Sequence, residues 1–307
     1  MAVVLVVLGH VLDEMEMGKE LFGAIYRFHM PLFFMMSGIT HELSWGGNIE
    51  ETNRRTVKRC VNIFVPATVF TIISFLLFSG NDIFFYYNTA WFLWHLLFIS
   101  LAAAFEDTCS LKKQNKLVWF LLWVYVLLWL VFGVMQLALM RLEGVVYYKF
   151  AKEISKFFGY LLCFRVGRWL IRHQETALKT NERFYWLLIV AVVTNILGIV
   201  FRVDPDIALV RISFGILSSW VIVVIYYHLR KRCFFLERAM SQFSLEIYLI
   251  HVTLTRMVNT ASFSKGRFTE QIFFGIIEFI IFLGVPILVA YCEKYVPPLR
   301  YLFHPIQ

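Results

Sequence analysis

Leu117–Leu137 reads LVWFLLWVYVLLWLVFGVMQL, twenty-one residues without one charged side chain. At about 1.5 Å per residue, a helix of that length reaches roughly 30 Å, the thickness of a bilayer's hydrocarbon core. Lipid offers the backbone no hydrogen-bond partner, so such a run must satisfy its own N–H and C=O groups, and a helix does so. A transmembrane strand would alternate over about ten residues, and this run is continuous.

Working outward, similar apolar runs occur at 21–42, 60–79, 89–106, 154–170, 185–203, 207–227, 244–258 and 272–291. With the opening stretch 1–12 they predict an all-α, polytopic integral membrane bundle of about ten transmembrane helices. The whole chain, 1–307, is expected to form a single transmembrane domain with no separate soluble domain. Composition agrees: 60% of residues are hydrophobic, 16% are charged and mean hydropathy is +0.69. Soluble domains carry about 25% charged residues. The net charge of +8 reads as loop Lys and Arg facing a cytoplasm rather than as a nucleic-acid surface.

Only about ten apolar residues precede Asp13, half the length of a span. There is no basic leader and no small-residue cleavage site, so the stretch is not read as a signal peptide. The first helix is therefore expected to be truncated. Placing the amino end in the cytoplasm puts about eighteen Lys and Arg on the inner side and about ten on the outer, as the positive-inside bias requires. Cys60, Cys109, Cys163, Cys233 and Cys292 then all fall on the reducing side, where thiols need no disulfide partner. An odd, widely spaced set also argues against a zinc site.

Ionisable groups inside spans are costly and are functional candidates by default. They form two layers. The middle and outer layer holds His10, Arg27, His29, His95, Arg211, Glu246, His251, Arg256 and Glu278. A neutral histidine near pH 7 can take a proton from a hydroxyl. The inner layer is basic, with Arg54, Arg55, Lys58, Arg59, Arg165, Arg168 and Arg172. It suits anionic lipid head groups or a polyanionic cytoplasmic ligand, since guanidinium groups bind phosphate oxygens in pairs. No Walker loop, G-x-G-x-x-G or G-x-S-x-G occurs, and His41-Glu42 lacks a second histidine at position 45, which is Trp.

Three groups of motifs resemble one family. Val3–His10 (VVLVVLGH) followed by Phe28–Gly38 (FHMPLFFMMSG) resembles the opening of the acyltransferase-3 family. The basic run Arg54–Arg59 leading to Pro66 resembles its next signature. Ala90-Trp91-Phe92-Leu93 and Ser244–His251 (SLEIYLIH) resemble two later ones. The family's first motif pairs an Arg with a His eleven positions on. His10 matches the His, and the Arg would precede Met1.

The resemblance implies transfer of an acyl group, usually acetyl from acetyl-CoA, to a hydroxyl of a saccharide or other cell-envelope glycan in a bacterial plasma membrane. Acyl-CoA, a carbohydrate or glycolipid acceptor and membrane lipid are the expected partners, with no bound cofactor or metal and no nucleic acid. His10 is the expected general base. His29, Arg27, Glu246, Tyr248 and His251 complete the expected catalytic set, with Arg27 or Tyr248 as oxyanion donor. Arg54, Arg55, Arg59, Arg165 and Arg168 are expected at the donor, and Trp91, His95 and Arg211 on the acceptor side. A proton- or anion-coupled transporter is the rival reading, because midplane histidines with Arg211, Glu246 and Glu278 also suit an ion path. Repeated halves with matching broken helices, usual in transporters, are not visible in this sequence.

Overall fold

A computed structural model of the protein describes residues 2–15, 19–44, 48–77, 83–140, 146–178, 182–201, 203–204, 206–229, 244–257, 268–293 and 295–305. Cys233, Arg230, Arg267 and the side chain of Arg256 lie outside them. No strand occurs among the described residues. The helices are α1 (Ala2–Glu14), α2 (Lys19–Leu43), α3 (Ile49–Leu77), α4 (Ile83–Leu111), α5 (Asn115–Ala138) and α6 (Val146–Arg172). They continue as α7 (Gln174–Ala177), α8 (Glu182–Val200), α9 (Ala208–Leu229), α10 (Ser244–Met257), α11 (Phe268–Cys292) and α12 (Pro297–Phe303).

Among the described residues, five stretches are long and apolar enough to cross a membrane: Ile49–Ile73, Ala90–Leu111, Asn115–Ala138, Ala208–Leu229 and Thr269–Cys292. Val3–Leu12, Phe184–Val200 and Ser244–Thr255 are apolar but shorter. The difference from about ten expected spans has two physical sources. Some helices are short, α10 having 14 residues, about 21 Å at the helical rise. Others, α2 and α6, have 25 and 27 residues but carry many charges.

Those charges explain where α2 and α6 sit. A charge in lipid must find a partner or a wet cavity, and these two charge-bearing helices pack into the middle of the bundle. α2 packs on α1, α6 and α9, and Phe34 and Met35 are fully buried. α5 has no such need and turns its apolar side chains outward, with Trp119 65% and Trp123 69% exposed. Cys60, Cys109, Cys163 and Cys292 are free thiols.

The α2–α6 contact depends on two glycines facing each other's backbone. A Cβ at Gly38 would overlap the Phe164 carbonyl, and one at Gly167 would overlap the Met35 carbonyl. Small residues let helices in lipid approach this closely. At Gly215, likewise, a Cβ would overlap the ring of Pro31, so α9 fits against the proline inside α2. Gly38→Ala is expected to destabilise the protein by about 1–3 kcal/mol, the usual cost of overpacking. Gly284→Ala is the control, since its new methyl meets nothing within 4 Å. Thermal unfolding of the two variants in one detergent compares them; equal transitions would remove the close-approach argument.

Candidate active site

Three histidines from three helices meet in the bundle. The rings of His10 on α1 and His251 on α10 lie 5.4 Å apart. His29, on α2, interacts electrostatically with both. His29 and His251 are buried, at 4% and 0% exposure. Each directs Nδ1 at a carbonyl one turn back in its own helix, His29 to Ile25 O at 3.0 Å and His251 to Ile247 O at 2.6 Å. A carbonyl only accepts, so Nδ1 carries the proton and Nε2 keeps its lone pair. His251 Nε2 is buried with no hydrogen-bond partner among the described residues. An acceptor nitrogen inside lipid with no donor is costly, and it marks a place where a hydroxyl or an N–H would be held.

A cavity of about 610 Å³ comes within one side chain of this cluster, at Tyr248. At its mouth stand Arg55, Lys58 and Arg59 from α3, with His41 from the end of α2. Deeper in, Phe92, Leu96 and Tyr248 line it. Tyr248 packs on His251, with ring centroids 5.8 Å apart. A basic mouth therefore runs through an apolar neck to Tyr248, one ring from His251.

On the other side of the cluster lies a second polar group. Arg211, 1% exposed, bonds Asp206 Oδ1 at 2.6 Å, donates to Tyr160 Oη at 3.3 Å, and stands 4.1 Å over the Tyr26 ring. Tyr26 in turn packs on His29 at 5.2 Å. Trp91 meets His95 at 5.3 Å and Tyr160 at 5.8 Å. Lys152 bonds Asp206 at 2.7 Å. Burial alone would raise the Asp206 carboxyl, but Arg211, Lys156 and Lys152 outweigh it and hold it below the usual carboxylate range. Trp91 and His95 on α4 and Arg211 on α9 thus share one surface, through Tyr160, that touches His29 through Tyr26.

Five expected site residues lie elsewhere. Arg27 is one position from Phe28 and two from His29, so it leaves α2 on another face. It donates to the carbonyls of Gly198 and Val203, both at 2.8 Å. Glu246 is held by His304 Nε2 at 2.9 Å, at the start of α10. Arg165 and Arg168 face carboxylates rather than the cavity. Arg165 pairs with Glu106 at 3.3 Å; Arg168 bonds Glu42 at 2.8 Å and Asp107. Arg54 is exposed near the cavity mouth without lining it.

Sequence reading missed what ties this end together. His41 Nε2 sits 2.8 Å from Asp107, and its Nδ1 sits 3.2 Å from Arg59. It also passed over His304 and Glu293. Burial and the neighbouring Glu246 push the Glu293 carboxyl up to about 7, while the hydrogen bond to Glu246 raises His304. The adjacent ionisable pairs His41-Glu42 and Glu106-Asp107, each at the end of an apolar run, are the sequence signal for the first of these groups.

The model of the acyltransferase-3 family, described as an acyltransferase domain, matches residues 1–292. The chain belongs to the acyltransferase-3 family. It is an acyltransferase and an integral membrane protein, as that family and its apolar helices require. No curated protein and no solved structure matches it.

Proposed function

We propose that the protein moves an acyl group, acetyl being the chemistry favoured, from acyl-CoA to a hydroxyl of a saccharide or cell-envelope glycan. One observation carries this reading. A cavity opens among basic side chains and reaches Tyr248, which packs on His251, whose Nε2 is a buried acceptor with no partner among the described residues. A nucleotide-linked thioester has a matching shape: phosphates at one end, a slender pantetheine arm, and a reactive carbonyl at the tip. Arg55, Lys58 and Arg59 would hold the phosphates, and the apolar neck past Phe92 and Leu96 would hold the arm.

At the cluster, His10 would take the proton of the acceptor hydroxyl as its oxygen attacks the thioester carbonyl. The C–O bond forms, the C–S bond breaks, and the proton held on His10 passes to the departing thiolate. His251, its acceptor nitrogen beside His10, would orient that ring. The Tyr248 hydroxyl, lining the cavity next to His251, is the preferred donor to the developing oxyanion. The acceptor would enter from the Trp91–His95–Arg211 side, where aromatic rings and charged groups suit a sugar. In this reading the whole chain acts as one transmembrane domain of about ten helices in a bacterial plasma membrane. The amino end and the basic mouth face the cytoplasm, where acyl-CoA is made.

The donor assignment has its own test. Arg59→Ala is expected to raise KM for acetyl-CoA about 10- to 100-fold, the worth of a charged hydrogen bond, with kcat changed far less. Initial rates in proteoliposomes with labelled acetyl-CoA measure it. A KM for donor equal to that of the parent protein would move the donor site elsewhere. Solute flux without label in saccharide would favour a transporter instead.

A further inference from the structure

Glu246, Glu293 and His304 come from the start of α10, the end of α11 and the residue after α12. They are 47 and 11 positions apart in sequence, so no motif announces them. In the fold, one carboxylate oxygen from each glutamate and one imidazole nitrogen all lie within 4.8 Å of one another. His304 Nε2 stands 2.9 Å from Glu246 Oε1 and 3.9 Å from Glu293 Oε2. Ligands held about 2.0–2.2 Å from one tetrahedral ion are about 3.4 Å from each other, and these separations bracket that value.

The second observation is independent of spacing. Glu246 is 1% and Glu293 7% exposed. Glu246 Oε2 and Glu293 Oε1 are both buried with no hydrogen-bond partner among the described residues. Two buried carboxylates side by side repel each other and are costly when unpaired. His304 bonds only Glu246 Oε1, and Arg300 acts at longer range, so the two orphaned oxygens stay without a partner among the described residues. A divalent cation would balance them and occupy the free oxygens.

We propose that Glu246, Glu293 and His304 bind one divalent transition-metal ion, with Zn²⁺ the best match. A mixed set of one imidazole and two carboxylates suits zinc better than magnesium or calcium, which take oxygen ligands throughout. Three protein ligands leave the fourth position of a tetrahedral ion open. His304 and the neighbouring Ser244 and Leu245 line the basic cavity, so the site adjoins that space. The site also ties the ends of α10, α11 and α12 together, and ion binding stabilises the fold by linkage.

The experiment uses full-length protein in detergent, purified without a polyhistidine tag and stripped with a chelator. Calorimetric titration with Zn²⁺, checked by elemental analysis, is expected to give one ion per chain and a raised unfolding temperature. Glu293→Gln and His304→Ala are expected to weaken binding by about tenfold or more. His251→Ala, in the separate histidine cluster, is expected to leave it intact. Mg²⁺ is expected to give no heat at the same concentration. Absence of stoichiometric Zn²⁺ in the parent protein would overturn the proposal by itself, whether or not the variants fold. So would binding that survives His304→Ala and disappears in His251→Ala.

Discussion

Replacing His10 with alanine is expected to lower the acyl-transfer rate by about 10²- to 10⁴-fold, the usual contribution of a positioned general base. The donor KM should change little, because Arg55, Lys58 and Arg59 line the cavity and His10 does not. Transfer of labelled acetyl from acetyl-CoA, measured in membranes and normalised to protein amount, reads both parameters. His10→Ala with the parent's rate would remove His10 from the chemistry.

The three histidines should not be equivalent. His29 and His251 are tethered through Nδ1 to their own helices, so each offers a fixed ring with one acceptor nitrogen. His10, on α1, is less buried than either and lies beside His251. A base that touches the acceptor and a partner that orients the base should separate kinetically. His251→Ala is expected to lower kcat less than His10→Ala and to shift the pH–rate profile. His251→Gln, whose amide oxygen can still accept, is expected to restore part of the loss. Equal losses in all three variants, with unchanged profiles, would argue for a structural role for His251.

The readable part of this protein is what lipid enforces. A run such as Leu117–Leu137 has one solution in a bilayer, so α5 was legible from composition alone. His10, His29 and His251 stand out for the same reason, as polar side chains on apolar helices. Partnerships were not legible. Arg168 finds Glu42 and Asp107 at separations of 126 and 61 residues, and His41 finds Asp107 at 66. No local pattern encodes such pairs. A basic cluster therefore reads as a ligand site whether its charges are exposed, like that of Lys58, paired within one helix, like that of Arg55 with Glu51, or neutralised by distant carboxylates, like that of Arg168. Arg27 was misjudged differently. Two positions along a helix turn a side chain by about 200°, so sharing a motif with His29 does not mean sharing a face.

The neutralised half of that cluster leads to the second large effect. Arg168→Met is expected to destabilise the protein by about 3–5 kcal/mol, the usual cost of removing one partner from a buried ion pair. Arg168 is 6% exposed. It bonds Glu42 and Asp107 and stands 3.9 Å from Glu106. Arg172 keeps hold of Glu42 at 2.7 Å, and Arg165 keeps Glu106 at 3.3 Å. Asp107 would retain only His41. Its charge would then stay buried beside a single imidazole, which disfavours the folded state. The unfolding temperature should fall by about 10 °C, taking 2–4 °C per kcal/mol for a chain of this class. Adding Asp107→Leu to Arg168→Met should recover part of that loss, because an uncharged pair replaces a stranded charge. The same substitution frees His41 from its carboxylate while leaving it near Arg59, so the double variant should be stable yet altered in donor KM. A single variant that unfolds within about 2 °C of the parent would show that the bridge is solvated rather than buried, because exposed pairs contribute about 1 kcal/mol or less.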